Sequence, residues 1–315
     1  MNIANTSNTK VLYVLGRGRS GSTIFANTVA AHEGWFSAGE LRYLWDPVAV
    51  RDRDCACGRP ISACPVWSKV LDDVSDISPE AAAAWQREVV TERNLARLLR
   101  YRDGGTWPAL EHFIAVMSRV YRSLARVTGA NVIVDSSKRP SYAAVVRLLP
   151  RCDLYAIHLI RDPRASAYSW ATSHHASVFG DGAQVRRRNA LDSTIRWNVL
   201  NLEAELVLRR LGPQRGMRVR YEDFVAAPRA ETAEVARFLG AGDVASPFRD
   251  EKTVRLGPNH TIAGNPSRFA VGEVAIQDSA DWRVKQRPLD RRVATAAALP
   301  FLYRYGYRAR WRSPR

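Results

Sequence analysis

The sequence has no run approaching about 18 consecutive apolar residues, the length a membrane-spanning helix requires. Its N-terminus, Met1-Asn2-Ile3-Ala4-Asn5-Thr6, lacks the basic start and apolar run of a secretory signal. Cysteine is scarce: four residues, three of them clustered, which is not the pattern of a secreted disulfide scaffold. Together these absences predict a protein of the reducing cytoplasm. Internal repeats, low-complexity linkers and recognisable nucleic-acid modules are also absent. One domain over residues 1–315, carrying a helical insertion at about 46–130, fits the chain best.

What is present is ordinary globular material. The chain is 46% apolar and 25% charged, and 315 residues can bury most of their apolar surface without disulfide staples. Lysines and arginines number 47 against 31 acidic residues, a net charge of +16. That excess predicts a polyanionic partner: nucleic acid, an acidic membrane surface or a phosphorylated small ligand. Charge alone does not choose among them.

Lys10-Val11-Leu12-Tyr13-Val14-Leu15 is a compact β-prone run ending at a glycine-rich turn. Residues from about Ser22 to Ala31 then read as a helix with Ile24, Phe25 and Val29 available for one face. A buried strand, a glycine turn and a helix open an α/β nucleotide-binding fold. Further strands are expected at Asn131-Val132-Ile133-Val134, from Leu154 to Ile160, and from Met217 to Tyr221. Between the first strands Leu110, Phe113, Ile114, Met117, Val120, Tyr121, Leu124 and Val127 keep helical spacing and read as core. A second long helix is expected from about Ala190 to Arg210, with Ile195, Val199, Leu202 and Leu206 turned inward.

The loop Gly16-Arg17-Gly18-Arg19-Ser20-Gly21-Ser22-Thr23 carries the strongest single signal. Its glycines let several backbone N–H groups converge on one anion, and the helix that follows adds its positive N-terminus. Arg19, Ser22 and Thr23 add side-chain donors. Gly16, Gly18 and Gly21 also satisfy the G-x-G-x-x-G dinucleotide fingerprint, with Glu40 19 residues beyond Gly21. A Rossmann oxidoreductase is therefore a rival, although Gly34-Trp35-Phe36-Ser37-Ala38-Gly39 is a poor candidate for the second strand it needs. The loop fits G-x-x-x-x-G-K-[ST] except that Ser22 replaces the lysine, which argues against triphosphate chemistry.

Arg19-Ser20-Gly21-Ser22-Thr23 resembles the R-S-G-[ST]-T loop that holds the 5′-phosphosulfate in sulfotransferases using 3′-phosphoadenosine 5′-phosphosulfate (PAPS). A second motif agrees. The strand ending at Ile160 runs into Arg161-Asp162-Pro163-Arg164, with Ser169 eight residues after Arg161, and this looks like the family's 3′-phosphate site. Pro163 suits the first turn of a helix, and an arginine at a strand end is a sound phosphate clamp. Val134-Asp135-Ser136-Ser137-Lys138 resembles the segment that presents a lysine near the transferred group. Arg220-Tyr221-Glu222-Asp223 resembles the strand carrying a nucleotide-side tyrosine. His260 to Phe269, containing Asn265 and Arg268, resembles the loop that closes over PAPS in bacterial members.

The resemblance covers nearly the whole chain. It implies an α/β fold with a P-loop-like central parallel sheet flanked by helices, and in-line transfer of a sulfuryl group from PAPS. The acceptor implied is a hydroxyl, less often an amine, on a small molecule or glycan. The implied nucleotide residues are Arg17, Gly18, Arg19, Ser20, Gly21, Ser22, Thr23, Arg161, Ser169, Tyr221, Asn265 and Arg268. Arg19 and Lys138 would stabilise charge on the leaving oxygen, and Glu40 would take the acceptor's proton. No metal is required for that chemistry. A basic polyanion-binding protein without enzymatic activity is the remaining alternative.

Cys55-Ala56-Cys57-Gly58 and Cys64-Pro65-Val66-Trp67 resemble a C-x-C-G…C-P-x-W segment of some bacterial sulfotransferases. Three cysteines fall one ligand short of a structural zinc set, and C-x-C is tighter than the usual spacing. Packed free thiols are the expectation, a metal needing a distant fourth ligand. His174 and His175, beyond the second anion motif, read as bystanders, and the arginine-rich tail from Tyr303 to Arg312 reads as a solvated or packed end.

Overall fold

A computed structural model describes residues 8–46, 53–102, 105–172, 187–242 and 244–309. Its centre is a parallel sheet of five strands, β1 (Thr9–Leu15), β2 (Trp35–Gly39), β3 (Val132–Lys138), β4 (Cys152–Ile160) and β5 (Gly216–Arg220). The order is β2-β3-β1-β4-β5, and every pairing is parallel. A small antiparallel pair, β6 (Thr253–Leu256) and β7 (Gly272–Ala275), lies outside it.

The apolar run of β1 reflects burial on both sheet faces, as parallel sheets covered by helices require. Val11, Tyr13 and Leu15 join one core cluster, while Leu12 and Val14 join another on the opposite face. The first face is covered by the insertion between β2 and β3, with helices Trp67–Asp72, Pro79–Val89, Leu95–Arg100 and Pro108–Thr128. Leu110, Phe113, Met117, Val120, Tyr121 and Leu124 of the last are fully buried there, as their spacing predicts. The other face holds Phe25 and Val29 of helix Ser22–Val29 against the sheet.

Two expectations are corrected. The segment read as a poor strand is β2, paired with β3 through Trp35↔Val132, Phe36↔Ile133 and Ser37↔Val134. Gly34 and Gly39, at φ 75° and 76°, are left-handed turn residues that bound this edge strand rather than breakers within it. The strand does not rescue the oxidoreductase alternative. In a Rossmann fold the strand after the first helix pairs with β1 itself, whereas here β3 stands between them.

The second correction concerns helix Ala190–Leu211, where Ile195, Val199, Leu202 and Leu206 are exposed, Ile195 at 50%. The buried face is Ser193, Thr194, Trp197, Asn201, Ala204 and Glu205. Hydrogen bonds hold that face: the Trp197 indole donates to the Arg161 carbonyl at 3.0 Å, and the Asn201 Oδ1 meets His158 Nε2 at 2.7 Å. Glu205 accepts from Arg304 at 2.6 Å and from the Tyr305 hydroxyl at 2.9 Å. Buried polar groups must be paired, so this network decides which face turns inward. Hydrophobicity alone selects the wrong face.

Candidate active site

The functional segments meet where the parallel strands end. The glycine loop follows β1, Glu40 follows β2, Lys138 closes β3, Arg161 follows β4 and Tyr221 follows β5. The crevice beyond the carboxyl ends of the strands is where open α/β sheets bind ligands. Among the described residues no helix is long and apolar enough to cross a membrane.

The glycine loop is shaped by close approaches. A Cβ on Gly21 would lie 2.1 Å from the Tyr221 ring, and Gly21 has φ 81° at the start of helix Ser22–Val29. No side chain caps that helix, so its first N–H groups are free of a competing cap. Arg19 (φ 73°) and Lys138 (φ 70°) are non-glycine residues in the left-handed region, a conformation costing about 1–2 kcal/mol each. Strain of this kind collects where a side chain must be aimed.

Three guanidiniums surround Trp170: Arg17 at 4.7 Å from the ring centre, Arg188 at 5.4 Å and Arg19 at 5.6 Å. The indole N–H donates to the Gly18 carbonyl at 3.1 Å, fixing the ring beneath the loop. Burial, then the nearby charges of Arg188 and Arg196, lower the Arg17 guanidinium to about 10. Its Nε and Nη2, together with the Ser20 and Ser22 hydroxyls, are buried without a hydrogen-bond partner. Crowded cations and unpaired donors converge on one loop.

Arg161 reaches back to this loop. It donates to the Arg19 carbonyl at 3.1 Å and to the Ser279 hydroxyl at 2.6 Å, and lies 4.5 Å from the Tyr221 ring centre. Ser169 sits on helix Pro163–Thr172, which begins at Pro163 as expected, two residues after Arg161. Asp162 and Arg164 form a buried two-point ion pair, so the second arginine of the motif is occupied by its own neighbour.

Opposite the loop, the Lys138 ammonium lies 2.5 Å from Glu40 Oε1 and Arg42 lies 3.3 Å from Glu40 Oε2. Burial would raise the Glu40 carboxyl, but Lys138 and Arg42 outweigh it and hold the group below its usual range. Burial lowers Lys138 despite the carboxylate beside it. Asp135 anchors the adjoining turn by accepting from the Ser137 N–H at 2.8 Å and from the Tyr121 hydroxyl at 2.6 Å.

These groups face a cavity of about 420 Å³. The glycine loop contributes Arg17 and Arg19 beside Glu40 and Lys138, and helix Ala190–Leu211 contributes apolar Ile195, Val199 and Leu200 together with charged Arg196 and Glu203. Asn265 closes an edge, accepting from Arg19 at 3.2 Å while its N–H donates to Thr23 Oγ1 at 3.2 Å. Arg268 is placed differently. Its buried guanidinium donates to the Asp54 carbonyl at 3.1 Å, toward the cysteine segment and not into the cavity. His174, His175, Arg310, Trp311 and Arg312 lie outside the described residues.

Trp170, Arg188, Ile195 and Val199 were not among the expected site residues. A tryptophan directly after Ser169, and an apolar stripe on a helix anchored by polar residues, were the available signals.

Residues 12–243 match the sulfotransferase family. The chain belongs to that family. It is accordingly a transferase enzyme, and the non-enzymatic alternative falls away with the oxidoreductase. The sulfotransferase is similar in structure to the sulfotransferase domain of the olefin synthase of Synechococcus PCC 7002, at 21% identity and TM-score 0.54. The similarity covers 96% of this chain and 98% of that one. A sulfotransferase domain from the curacin biosynthetic pathway matches at 18% identity and TM-score 0.57, covering 96% and 99%. At these identities the likeness is one of fold. No curated protein matches the sequence.

Proposed function

We propose that this sulfotransferase moves the sulfuryl group of PAPS to a hydroxyl borne on a largely apolar small molecule, in the cytoplasm. The observation that carries the proposal is the set of unpaired donors on the phosphate loop, Arg17, Ser20 and Ser22, beside the Glu40–Lys138 pair. Buried donors without partners are rare, and an anion rich in oxygen would satisfy them. The residues present therefore suit the donor nucleotide.

When bound, PAPS supplies a sulfuryl group activated by a phosphate leaving group. Arg161, stacked on Tyr221, with Ser169 is assigned to the 3′-phosphate. The loop from Arg17 to Thr23 and the free N-terminus of its helix are assigned to the 5′ side. Arg19 and Lys138 offset the negative charge that grows on the departing bridging oxygen. Glu40, held as a carboxylate, accepts the acceptor's proton as the new oxygen–sulfur bond forms and the bridging bond breaks. Asn265 fastens the closing loop to Arg19 and Thr23.

Ile195, Val199 and Leu200 give an apolar acceptor body a surface to lie on, while Arg196 and Glu203 of the same helix can hold a polar group on it. The test is incubation with PAPS and a panel of hydroxylated compounds graded from sugars to alkyl and aryl alcohols, read by mass spectrometry. Sulfated products from the apolar members, reduced at least about a hundredfold with Glu40→Gln, are expected. Product only from sugars would contradict the acceptor assignment, and no sulfated product from any hydroxyl would contradict the whole proposal.

A further inference from the structure

The cysteine cluster gains a fourth partner in the fold. His260, 196 residues from Cys64 in sequence, places its Nδ1 3.2 Å from Cys64 Sγ and 3.8 Å from Cys55 Sγ. Cys55 and Cys64 Sγ are 3.5 Å apart, and one ligand atom from each of Cys55, Cys57, Cys64 and His260 lies within 4.8 Å of all the others. Around tetrahedral zinc, with Zn–S of about 2.3 Å and Zn–N of about 2.0–2.1 Å, neighbouring ligand atoms stand about 3.6–3.8 Å apart. The Cys55, Cys64 and His260 separations suit that tetrahedron, and Cys57 lies within 4.8 Å of each of them. They are well beyond the roughly 2.05 Å of a disulfide.

We propose that Cys55, Cys57, Cys64 and His260 bind one structural zinc ion that ties the helical insertion to the loop closing the active site. Three sulfurs and an imidazole select zinc among the common divalent ions. Four protein ligands leave no open position, the mark of a structural and not a catalytic site. Cys55 and Cys64 are fully buried, while half-buried Cys57 and His260 leave a path for the ion to enter. Binding releases the three thiol protons, leaving a centre of net charge −1. Arg268, whose guanidinium donates to the carbonyl of Asp54 next to Cys55, is positioned to offset that charge.

The backbone around the cluster is already organised to hold it. The Cys55 N–H donates to the Arg59 carbonyl at 2.8 Å, and Gly58 (φ 79°) returns its N–H to the Cys55 carbonyl at 2.9 Å. A tight turn thus presents Cys55 and Cys57 together. The Ala56 N–H bonds the Thr261 carbonyl at 3.1 Å, and the Trp67 indole bonds the His260 carbonyl at 2.6 Å. These bonds bring residues 55–67 against the segment that leads to Asn265. The ion would complete the same join. It also accounts for Arg268, which acts here as a strut between the two segments.

The presence of zinc is independent of the sulfuryl-transfer proposal, whereas its effect on nucleotide binding rests on that proposal. The test uses the full chain, purified anaerobically from zinc-supplemented cells without chelators. Elemental analysis should find one zinc per chain, and cobalt exchange should yield thiolate-to-cobalt charge transfer with the intense visible bands of a tetrahedral site. Cys57→Ser and His260→Gln should weaken zinc at least about tenfold in competition with a chromogenic chelator. Metal-free wild type with all thiols reactive, or a Cys55–Cys64 disulfide in the fresh protein, would overturn the proposal. So would a folded Cys57→Ser variant with unchanged zinc affinity. If the variants do not fold, the wild-type stoichiometry and cobalt spectrum still decide. Stoichiometric zinc in a protein that ignores 3′-phosphoadenosine 5′-phosphate would leave the metal site standing and sink the nucleotide proposal instead.

Discussion

The Lys138 ammonium and the Glu40 carboxylate form a buried ion pair, 2.5 Å apart, at the ends of the adjacent strands β3 and β2. Losing Lys138 leaves Glu40 with Arg42, 3.3 Å away, whereas losing Glu40 strands a buried ammonium, a change that costs about 3–5 kcal/mol. The pair therefore keeps both groups ionised. Glu40→Gln keeps an oxygen for Lys138 and should lower kcat by about 10²–10⁴-fold, with nucleotide affinity little changed. Lys138→Met should lower kcat by about 10²–10³-fold and also reduce thermal stability. Single-turnover kinetics with calorimetric titration would separate the two effects.

The same pair sets the pH dependence. Glu40 is held below its ordinary 4.5, so its carboxylate is lost only as pH falls through that depressed value. Lys138 is lowered from 10.5, so its charge is lost as pH rises through a value below 10.5. These two groups give the kcat/KM profile an acid limb below pH 4.5 and an alkaline limb beginning below pH 10.5. Arg42→Ala removes one cation from Glu40 and should move the acid limb upward.

Gly21 is the tightest of the glycines in the loop after β1. Alanine there meets both left-handed backbone strain and the Tyr221 ring. Gly21→Ala should abolish detectable bisphosphate binding and lower stability by at least about 1–2 kcal/mol. Tyr221→Ala in the same chain should relieve the steric part while leaving the backbone strain, a difference readable from the two melting curves.

Ile195, Val199 and Leu200 should control the acceptor and not the donor. Ile195 is 50% exposed, so Ile195→Asp is expected to change stability by no more than about 0.5 kcal/mol. It should raise KM for an apolar acceptor several-fold while leaving bisphosphate affinity unchanged. Steady-state kinetics varying each substrate in turn would show the split.

Much of this frame was legible in the sequence for a physical reason. β1 reads as an apolar run from Val11 to Leu15, and β4 as one from Leu154 to Ile160 interrupted only by His158. The Arg19 and Arg161 segments follow them directly, and each motif was local. Other parts depended on distant partners. Helix Ala190–Leu211 turns inward the face bearing Trp197, Asn201 and Glu205, because their bonds reach Arg161, His158, Arg304 and Tyr305 elsewhere in the chain. No periodicity count contains that information. His260 joined the cysteines for a similar reason: a ligand 196 residues away from Cys64 has no spacing signature. Arg268 matched a motif in sequence, yet its side chain answers to Asp54.

The most direct test of the central claim is calorimetric titration of the purified chain with 3′-phosphoadenosine 5′-phosphate, with ATP and NADH as comparators, repeated for Arg161→Ala. Selective binding of the bisphosphate, weakened at least about tenfold in a variant that still melts cooperatively, is the expected result. Binding of NADH or ATP in its place, or bisphosphate binding indifferent to the loss of Arg161, would contradict the account.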